Sequence, residues 1–464
     1  MTKGDVKKMN QAEHALPTSK ANVILHAFDW KYADIAKQAQ KIQELGYGSV
    51  LVSPPLRSAK SPKWWQRYQP QDYRVIDNAL GNTTDFQNMV TELQRCGVWV
   101  YADVVFNHMA NEAKQRADLN YPSKTVLEEY MCDPEYYESQ RLFGDLSEPL
   151  FTEEDFVEAF GIQDWKDKWQ VQNGRISGGP TDPGLPTLRV HEHVITQQRH
   201  YLMALKAMGV KGFRIDAAKH MTLEHIKQVW TEDITQGMHI FGEIITDGGA
   251  TEEEYELFLQ PYLQETRLGA YDFPLFSTLF KAFAPKGSFK SLIDPYCFGQ
   301  ALSNRRAITF VTTHDIPNND VFANLVLDEE NEWLAYAYVL GRDGGTPLIY
   351  TDLDTSGILN QNGQPRWKDA WHDPRMVQMI AFHNRFHGEP MTVLEGNDDM
   401  LVFSRGERGF VVINKSARKQ TISLPLARPL QDMLTGKHFL PMNGKIDIVV
   451  AAKTALMMCD DVLR

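Results

Sequence analysis

The amino-acid sequence predicts a closed (β/α)8 TIM barrel with an inserted subdomain and a C-terminal β-sandwich, and three observations support this fold class. Apolar strand-like runs alternate with amphipathic helical runs from about residue 22 to 386, a pattern typical of a parallel sheet covered by helices. There are eight such strand-like runs, the number that closes a barrel of this kind. The alternation stops at residues 109–188 and again from residue 391, where we expect the additional domains.

The predicted strands are short apolar runs that end at turn residues or polar clusters; the second ends at Pro54 and Pro55. The eight strands are expected at 22–30, 47–53, 98–106, 210–215, 238–245, 269–273, 307–312 and 347–350. Helical periodicity predicts helices at 31–45, 83–96, 191–208, 223–230, 252–263, 331–340 and 374–386. Thr83 or Thr84 is the predicted N-cap of the helix at 83–96.

These elements divide the chain into four segments. The barrel is expected at 1–108 and 189–390, with the insertion subdomain at 109–188 after strand 3, covering the top of the barrel. Short strand-like runs at 400–404, 409–414 and 421–424 predict an antiparallel β-sandwich at 391–464. A doubly wound sheet is the alternative for the barrel, but no Gly-rich phosphate-binding motif follows the first strand.

Composition excludes several classes of function. The 464 residues carry a net charge of −12 without a basic run, so we expect no nucleic acid and no membrane as partner. No apolar stretch is long enough to span a bilayer. The first twenty residues do not resemble a signal peptide, so we expect a cytoplasmic protein or an exported mature form, acting as a monomer. The four cysteines form no Cys-x-x-Cys pair.

The stretch 210–220 changes from a strand into a polar cluster. Gly212, Arg214 and Asp216 are two residues apart, so they share one face of the strand. Charged residues do not normally end a buried strand unless they pair or take part in chemistry. A structural ion pair between Arg214 and Asp216 is the simpler interpretation of this stretch alone.

Polar residues end three further strands, and this recurrence favours a functional centre. In a barrel these ends converge on one face, where active sites lie. The residues are Asp103, Asn107 and His108 after strand 3, Arg214 and Asp216 on strand 4, Glu243 after strand 5, and His314 and Asp315 after strand 7.

The spacing of two carboxylates suggests a reaction. Asp216 and Glu243 end consecutive strands, which lie ~4.8 Å apart, close to the ~5–5.5 Å separation of the carboxyls in a retaining glycosidase. Asp216 would then attack the sugar, its pKa held down by Arg214, and Glu243 would be the acid, its pKa raised by burial. Asp315 could stabilise the transition state. A metal-dependent sugar isomerase remains open at this point.

Four motifs resemble the α-amylase family, glycoside hydrolase family 13. They are DVVFNH at 103–108, GFRIDAAKH at 212–220, FGE at 241–243 and FVTTHD at 310–315. Two further stretches, HAFDW at 26–30 and WWQRYQP at 64–70, resemble the animal-type α-amylases in particular. The resemblance covers the barrel from about residue 22 to 386 and is weak in the insertion.

The resemblance implies an α-amylase that hydrolyses internal α-1,4-glucosidic bonds of starch, glycogen and maltooligosaccharides with retention, and that requires no cofactor for the chemistry. The implied catalytic residues are Asp216 (nucleophile), Glu243 (acid/base) and Asp315 (transition-state stabiliser). The implied substrate contacts are Trp64, Trp65, Tyr68, Gln69, His108, Arg214, Lys219, His220 and His314, with Lys219 and His220 on the leaving-group side. The alternatives are an α-glucosidase, a maltooligosaccharide-forming amylase, a transglycosylase, and an inactive glucan-binding protein.

The sequence departs from the family pattern at two ion sites. The family's structural calcium would be held by Asn107, by the backbone carbonyl of His220 and by an aspartate at a position occupied here by Thr187. A hydroxyl is a poorer ligand for Ca²⁺ than a carboxylate, so we expect calcium to be weak or absent, with Asp182 as a possible substitute. The animal-type chloride site would use Arg214, but Thr313 replaces its asparagine, and we expect no chloride activation.

Overall fold

The computed structural model describes residues 21–246, 252–296, 301–319 and 322–460. Eight parallel strands form a closed barrel in which each strand pairs with the next and the last pairs with the first, which confirms the predicted fold class. The strands are β1 (Ile24–Ala27), β2 (Ser49–Val52), β3 (Trp99–Val104), β4 (Gly212–Ile215), β5 (His239–Gly242), β6 (Gly269–Tyr271), β7 (Ala307–Thr309) and β8 (Thr346–Thr351).

The α-helices of the described residues run along the outside of the barrel or lie in the long loop after β3. They are α1 (Tyr32–Glu44), α2 (Thr83–Arg95), α3 (Lys124–Cys132), α4 (Pro134–Gln140), α5 (Lys168–Asn173), α6 (Glu192–Ala207), α7 (Leu223–Val229), α8 (Glu232–Thr235), α9 (Glu252–Glu254), α10 (Gln260–Glu265), α11 (Phe273–Phe283), α12 (Asp315–Asn318), α13 (Glu329–Gly341) and α14 (Pro374–Arg385). Helices α9 and α10 are joined by a π-helical turn at Tyr255–Leu259.

Two predictions about the helices were wrong. The N-cap of α2 is Asn82, whose side chain accepts from the Asp85 amide while the Asp85 carboxylate accepts from the Asn82 amide, so neither Thr83 nor Thr84 caps the helix. Helix α11 was not predicted. It begins at Phe273, which was assigned to the end of a strand, and its start is fixed by Pro274 in the first turn and by the Asp272 side chain as N-cap.

The C-terminal region forms two antiparallel sheets, as predicted for a β-sandwich. The larger has the strand order β9-β10-β11-β16-β13-β14, and β12 pairs with β15 alongside it. Their bounds are β9 (Met391–Gly396), β10 (Met400–Arg405), β11 (Gly409–Asn414), β12 (Gln420–Leu424), β13 (Leu430–Asp432), β14 (His438–Phe439), β15 (Ile446–Val450) and β16 (Thr454–Asp460). Side chains of both sheets share one apolar core. The boundaries set at residues 108, 188 and 390 stay predictions.

Arg405 links this β-domain to the barrel through hydrogen bonds. The side chain is buried, and its guanidinium donates to the backbone carbonyls of Gly341 (2.7 Å), Arg342 (2.6 Å) and Phe386 (2.7 Å). Because these carbonyls belong to the ends of α13 and α14, the β-domain contacts the barrel through the last carbonyls of two helices. Within the described ranges no helix has both the length and the apolar character needed to cross a membrane.

Candidate active site

Arg214 is the centre of a buried carboxylate cluster at the carboxyl ends of the barrel strands. Its Nη1 donates to both oxygens of Asp103 (2.8 and 2.7 Å) and to Asp216 (2.9 Å). Its Nη2 donates to Glu243 and lies 3.9 Å from the carboxylate of Asp315. One guanidinium therefore contacts four carboxylates from four different parts of the barrel, and the three predicted catalytic carboxyls lie together.

Strand register produces this convergence. Asp103 pairs with Arg214 across β3 and β4, and Ile215 pairs with Gly242 across β4 and β5. Ile215 is followed by Asp216 and Gly242 by Glu243, so the two acids follow neighbouring strands at the same height in the barrel. The amide of Glu243 donates to the carbonyl of Ile215 at 3.0 Å, which continues the strand pairing up to the acid. Two acids at adjacent strand ends are expected to lie about as close together as the carboxyls of a retaining glycosidase.

Burial controls the protonation of the two central acids. It raises the pKa of Asp216 to about 7 and that of Glu243 to about 7, against the opposing charge of Arg214. The prediction that Arg214 would hold the pKa of Asp216 down was therefore wrong in its net direction, because burial outweighs the guanidinium. Burial also raises the pKa of Asp315, but a hydrogen bond with Glu243 partly offsets this, and the same bond raises the pKa of Glu243 further, so Glu243 is the member of this pair that carries the proton.

A wall of aromatic rings flanks the cluster. Tyr68 donates its hydroxyl to Asp103 at 3.0 Å and stacks on the ring of His314, with the two planes 8° apart and the centroids 5.3 Å apart. Phe28, stacked at 4.6 Å, His26, edge-on at 5.4 Å, and Trp64, edge-on at 5.8 Å, also pack against His314. Burial lowers the pKa of His314 to about 3, so this ring is neutral near pH 7.

The two adjacent tryptophans that were predicted as substrate contacts occupy different environments. Trp64 packs against the ring of Tyr68 and belongs to the wall. Trp65 is 39% exposed, and the Lys63 ammonium lies 5.5 Å from its ring centre. The structure therefore brings Trp64 to the carboxylate cluster and places Trp65 at the solvent-facing rim.

Histidine 108 and Gln69 are held by backbone contacts. His108 Nε2 lies 2.9 Å from the carbonyl oxygen of Tyr68, so this nitrogen carries the proton. Its Nδ1 then accepts from the side-chain amide of Asn107 at 3.3 Å. The side-chain oxygen of Gln69 accepts from the backbone amide of Asn111 at 3.1 Å, which ties this residue to the start of the insertion.

Lys219 and His220 lie in the turn that follows β4. The Lys219 ammonium is buried and donates to Glu254 at 2.6 Å, a partner that sequence reasoning did not identify. His220 Nδ1 lies 2.9 Å from the carbonyl oxygen of Val171 in the insertion and therefore carries its proton. Burial lowers the pKa of His220 to about 4, so Nε2 remains an acceptor for a sugar hydroxyl near neutral pH.

The residues at the expected calcium position do not fit a calcium ion. The Asn107 amide donates to His108, and the Thr187 hydroxyl donates to the backbone carbonyl of Gly174 at 3.0 Å. Asp182 accepts from Asn111 at 2.8 Å and from the backbone of Gly184. In the part of the chain that the structure describes, no three acidic, histidine or cysteine side chains are grouped to hold a metal.

The expected chloride position is also altered. Both terminal nitrogens of Arg214 are occupied by carboxylates, so its positive charge is already matched by negative groups. The neighbouring residue, Thr313, is fully buried and contributes only a neutral hydroxyl. An added anion at this position would lie beside several carboxyls.

Sequence reasoning overlooked three aromatic residues of the insertion. Trp165 meets the ring of His220 edge-on at 5.9 Å, and Trp169 stacks on Phe160. The only signal in the sequence is the spacing of four residues between two tryptophans in a polar segment, a pattern that a packed helix would also produce.

A parallel eight-stranded barrel with paired, buried carboxyls at the ends of neighbouring strands defines a glycoside hydrolase. Residues 30–265 match the family model described as the alpha-amylase catalytic domain, and the chain belongs to the α-amylase family. An alpha-amylase from Aeromonas hydrophila is 48% identical over 412 residues, which cover 89% of this chain and 88% of that protein. The pancreatic alpha-amylase of Rattus norvegicus is 28% identical, covering 84% of this chain and 82% of that protein.

Solved structures support the fold. The alpha-amylase I of Eisenia fetida superposes with a TM-score of 0.74 at 21% identity and covers 96% of this chain and 98% of its own. An alpha-amylase from Geobacillus thermoleovorans, complexed with acarbose, gives a TM-score of 0.68 at 18% identity and covers 96% and 99%. At identities this low, the comparison supports the fold of the barrel and of the β-domain alone.

Proposed function

We propose that the protein is an endo-acting α-amylase that cleaves internal α-1,4-glucosidic bonds of starch, glycogen and maltooligosaccharides with retention of configuration. The observation that carries this proposal is the contact of Asp216, Glu243 and Asp315 with the single guanidinium of Arg214. Membership of the α-amylase family and the 48% identity to the alpha-amylase of Aeromonas hydrophila support the substrate class.

In the first step, Asp216 attacks the anomeric carbon and the glycosidic bond breaks. Glu243 donates its proton to the departing oxygen, so the leaving sugar departs as a neutral alcohol and Glu243 becomes a carboxylate. The raised pKa of Glu243 supplies this proton near neutral pH. Arg214 holds Asp216 at 2.9 Å and orients one of its oxygens, so the other oxygen is available to form the ester bond to the sugar.

In the second step, the ionised Glu243 takes a proton from water, and the resulting hydroxide displaces Asp216 from the anomeric carbon. The two inversions give net retention. Asp315 accepts hydrogen bonds from sugar hydroxyls and stabilises the positive charge that develops on the ring in both transition states. Its side chain is 18% exposed, so it can reach a substrate.

The aromatic wall positions the sugar over these acids. Tyr68 supplies a ring for stacking, and its bond to Asp103 fixes that ring relative to Arg214. His314 is neutral, and its Nδ1 has no hydrogen-bond partner among the described residues, so it can bond a sugar hydroxyl. His108 is also neutral, but both of its ring nitrogens are bonded within the protein, so it serves to hold Tyr68 in place. Trp64, Gln69, Lys219 and His220 extend the binding surface, and Trp65 contributes only at the rim.

We propose that the protein works without calcium or chloride, because Asp182 is, among the residues described, the one carboxylate near the expected calcium ligands and the charge of Arg214 is already matched by carboxylates. The Thr187 hydroxyl and the Gly174 carbonyl join the insertion where an aspartate would bind calcium. Metal analysis after dialysis against a chelator should find less than stoichiometric calcium, with activity and melting temperature retained. Tightly held calcium, or a strong rise in rate on adding NaCl, would contradict this part.

Soluble starch provides the direct test of the function. Loss of iodine colour and release of reducing ends are followed together, and the products are sized over time. An endo-amylase removes the colour early, with few reducing ends and mixed oligosaccharides. Early glucose or maltose would instead identify an exo-acting relative, and binding without release would identify an inactive binder. Light scattering of the same sample tests the expected monomer.

A further inference from the structure

Two tryptophans of the insertion are unusually exposed. Trp165 is 50% exposed and Trp169 is 63% exposed, whereas most tryptophans of the described chain are buried or half-buried. Phe160 lies parallel to Trp169, with the planes 2° apart and the centroids 5.3 Å apart, so one face of Trp169 is supported and the other is open. We name Phe160, Trp165 and Trp169 the insertion platform. Large exposed apolar surfaces on a folded protein commonly mark binding sites.

The platform is fixed to the active site and is not a free loop. Trp165 packs edge-on against His220, and the helix that follows it, α5, presents the Val171 carbonyl to the same histidine at 2.9 Å. Gln172 donates to the carbonyl of Met221 at 3.1 Å. The insertion therefore docks on the turn that follows the nucleophile strand.

A second contact joins the segment that carries the platform to helix α9, which follows β5. Lys166, next to Trp165, forms an ion pair with Glu253 at 3.3 Å, and the next residue, Glu254, holds Lys219. The segment around Trp165 therefore contacts residues that follow both β4 and β5. In the proposed function Lys219 and His220 lie on the leaving-group side of the cleft, so the platform continues the cleft on that side.

The chemistry of the platform suits a glucan. A pyranose ring has apolar C–H faces and polar edges, so it can cover an aromatic ring while its hydroxyls remain in water. Charged side chains next to the rings, Lys166 and Asp164, are exposed and can bond hydroxyls at the edges. A protein partner or a lipid would favour a continuous apolar patch, and here the two tryptophans are separated by polar residues.

We propose that Trp165 and Trp169 bind glucose units of a long α-glucan on the leaving-group side, beyond the sugars contacted by Lys219 and His220. The inference rests on the proposed amylase function and adds a determinant of substrate length. Substrates that extend across the platform gain binding from it. Substrates that end in a small aryl leaving group gain little.

The test compares maltoheptaose with 4-nitrophenyl α-maltotrioside. For Trp165→Ala and for Trp169→Ala, the ratio of kcat/KM on maltoheptaose to kcat/KM on the aryl substrate should fall at least fivefold, mainly through KM. Trp165→Phe should recover most of the loss. Met442→Ala removes an apolar side chain of the β-domain that is 73% exposed; it is the matched control and should leave the ratio unchanged.

Binding in an inactive background separates this inference from the proposed function. Glu243→Gln is titrated with maltoheptaose by calorimetry, and adding Trp165→Ala should weaken binding at least fivefold. An equal loss of kcat/KM on both substrates would overturn the proposed role of the platform. So would a result in which neither the ratio nor the binding affinity falls. Failure of the unmodified enzyme to cleave either substrate would overturn the proposed function, while the binding titration would still test the platform.

Discussion

The Arg214 cluster and the insertion platform lie on the same face of the barrel but are built in opposite ways. Asp216 and Glu243 are only 8% and 6% exposed, and they are held by strand register and by one guanidinium. Trp165 and Trp169 are at least half exposed and are held by loop contacts. The barrel therefore holds the groups that cleave the bond in a fixed arrangement, whereas the insertion presents exposed rings that select among substrate chains.

The largest effect should come from Glu243→Gln, which removes the proton donor while keeping the shape of the side chain. We expect turnover to fall by about 10³-fold or more, since a general acid contributes up to about 10⁴-fold. Glucan binding should persist, because the aromatic wall and the platform are unchanged. A steady-state assay on starch and a binding titration measure the two properties. Retained turnover above a tenth of the original would contradict the assignment of Glu243.

Asp103→Asn tests whether Asp103 stabilises the Arg214 cluster without reacting with the substrate itself. Asp103 is fully buried and paired with Arg214, and removing one member of a buried ion pair costs about 3–5 kcal/mol. Because Arg214 lowers the pKa of Glu243, a guanidinium that has lost its bond to Asp103 should lower this pKa further and move the alkaline limb of the pH profile to lower pH. Urea unfolding and a pH profile measure both effects.

The control for this variant is Asp34→Asn, which removes the exposed partner of Lys37 and should cost no more than about 0.5 kcal/mol. An Asp103→Asn variant that is as stable as this control, with an unshifted pH profile, would show that Asp103 does not support Arg214.

The pH dependence of the unmodified enzyme tests the protonation assigned to the cluster. Burial raises the pKa of Glu243 to about 7, and its protonated form is the reactive one. The reactive protonated form of Glu243 is therefore lost as pH rises through this pKa, and the ionised Asp216 that attacks the sugar, whose pKa is also raised to about 7, is lost as pH falls. We expect kcat/KM on the aryl substrate to decline above about pH 7. If kcat/KM stayed constant up to pH 9, a pKa of about 7 for Glu243 would be contradicted.

The smallest effect should come from a hydrogen bond within the insertion, at the position expected for calcium. Thr187→Val removes the hydroxyl that donates to Gly174 and should reduce the free energy of unfolding by about 1 kcal/mol. Thr187→Ser keeps the hydroxyl and is the matched control. Thermal unfolding with and without calcium measures the difference. Equal stability of the two variants would rule out this bond as the link that replaces a metal.

Sequence reasoning predicted the barrel and the convergence of its strand-end acids because both follow from simple periodicities. The catalytic roles of these acids stay a proposal. Alternating elements close the barrel, and a polar residue at each strand end must face its open end. Loops obey no such rule. The adjacent Trp64 and Trp65 were predicted as equal contacts, but the chain turns between them, so only Trp64 reaches the cluster.

Competing local signals explain the remaining differences between the sequence predictions and the structure. Asn82 and Thr83 are both good N-caps, and the reciprocal bond between Asn82 and Asp85 decides between them. The pKa of Asp216 depends on how deeply the end of its strand is buried, and the sequence does not give this depth. Glu254 lies thirty-five residues from Lys219 in the chain and meets it only in the folded protein.

The most direct test of the central claim, that Asp216 and Glu243 act as nucleophile and acid, is the anomeric configuration of the first product. Proton NMR of a maltooligosaccharide digest resolves the two anomers before mutarotation mixes them. The adjacent placement of Asp216 and Glu243 predicts that the α-anomer appears first and then equilibrates. Initial release of the β-anomer would mean a single displacement by water and would contradict the role given to Asp216.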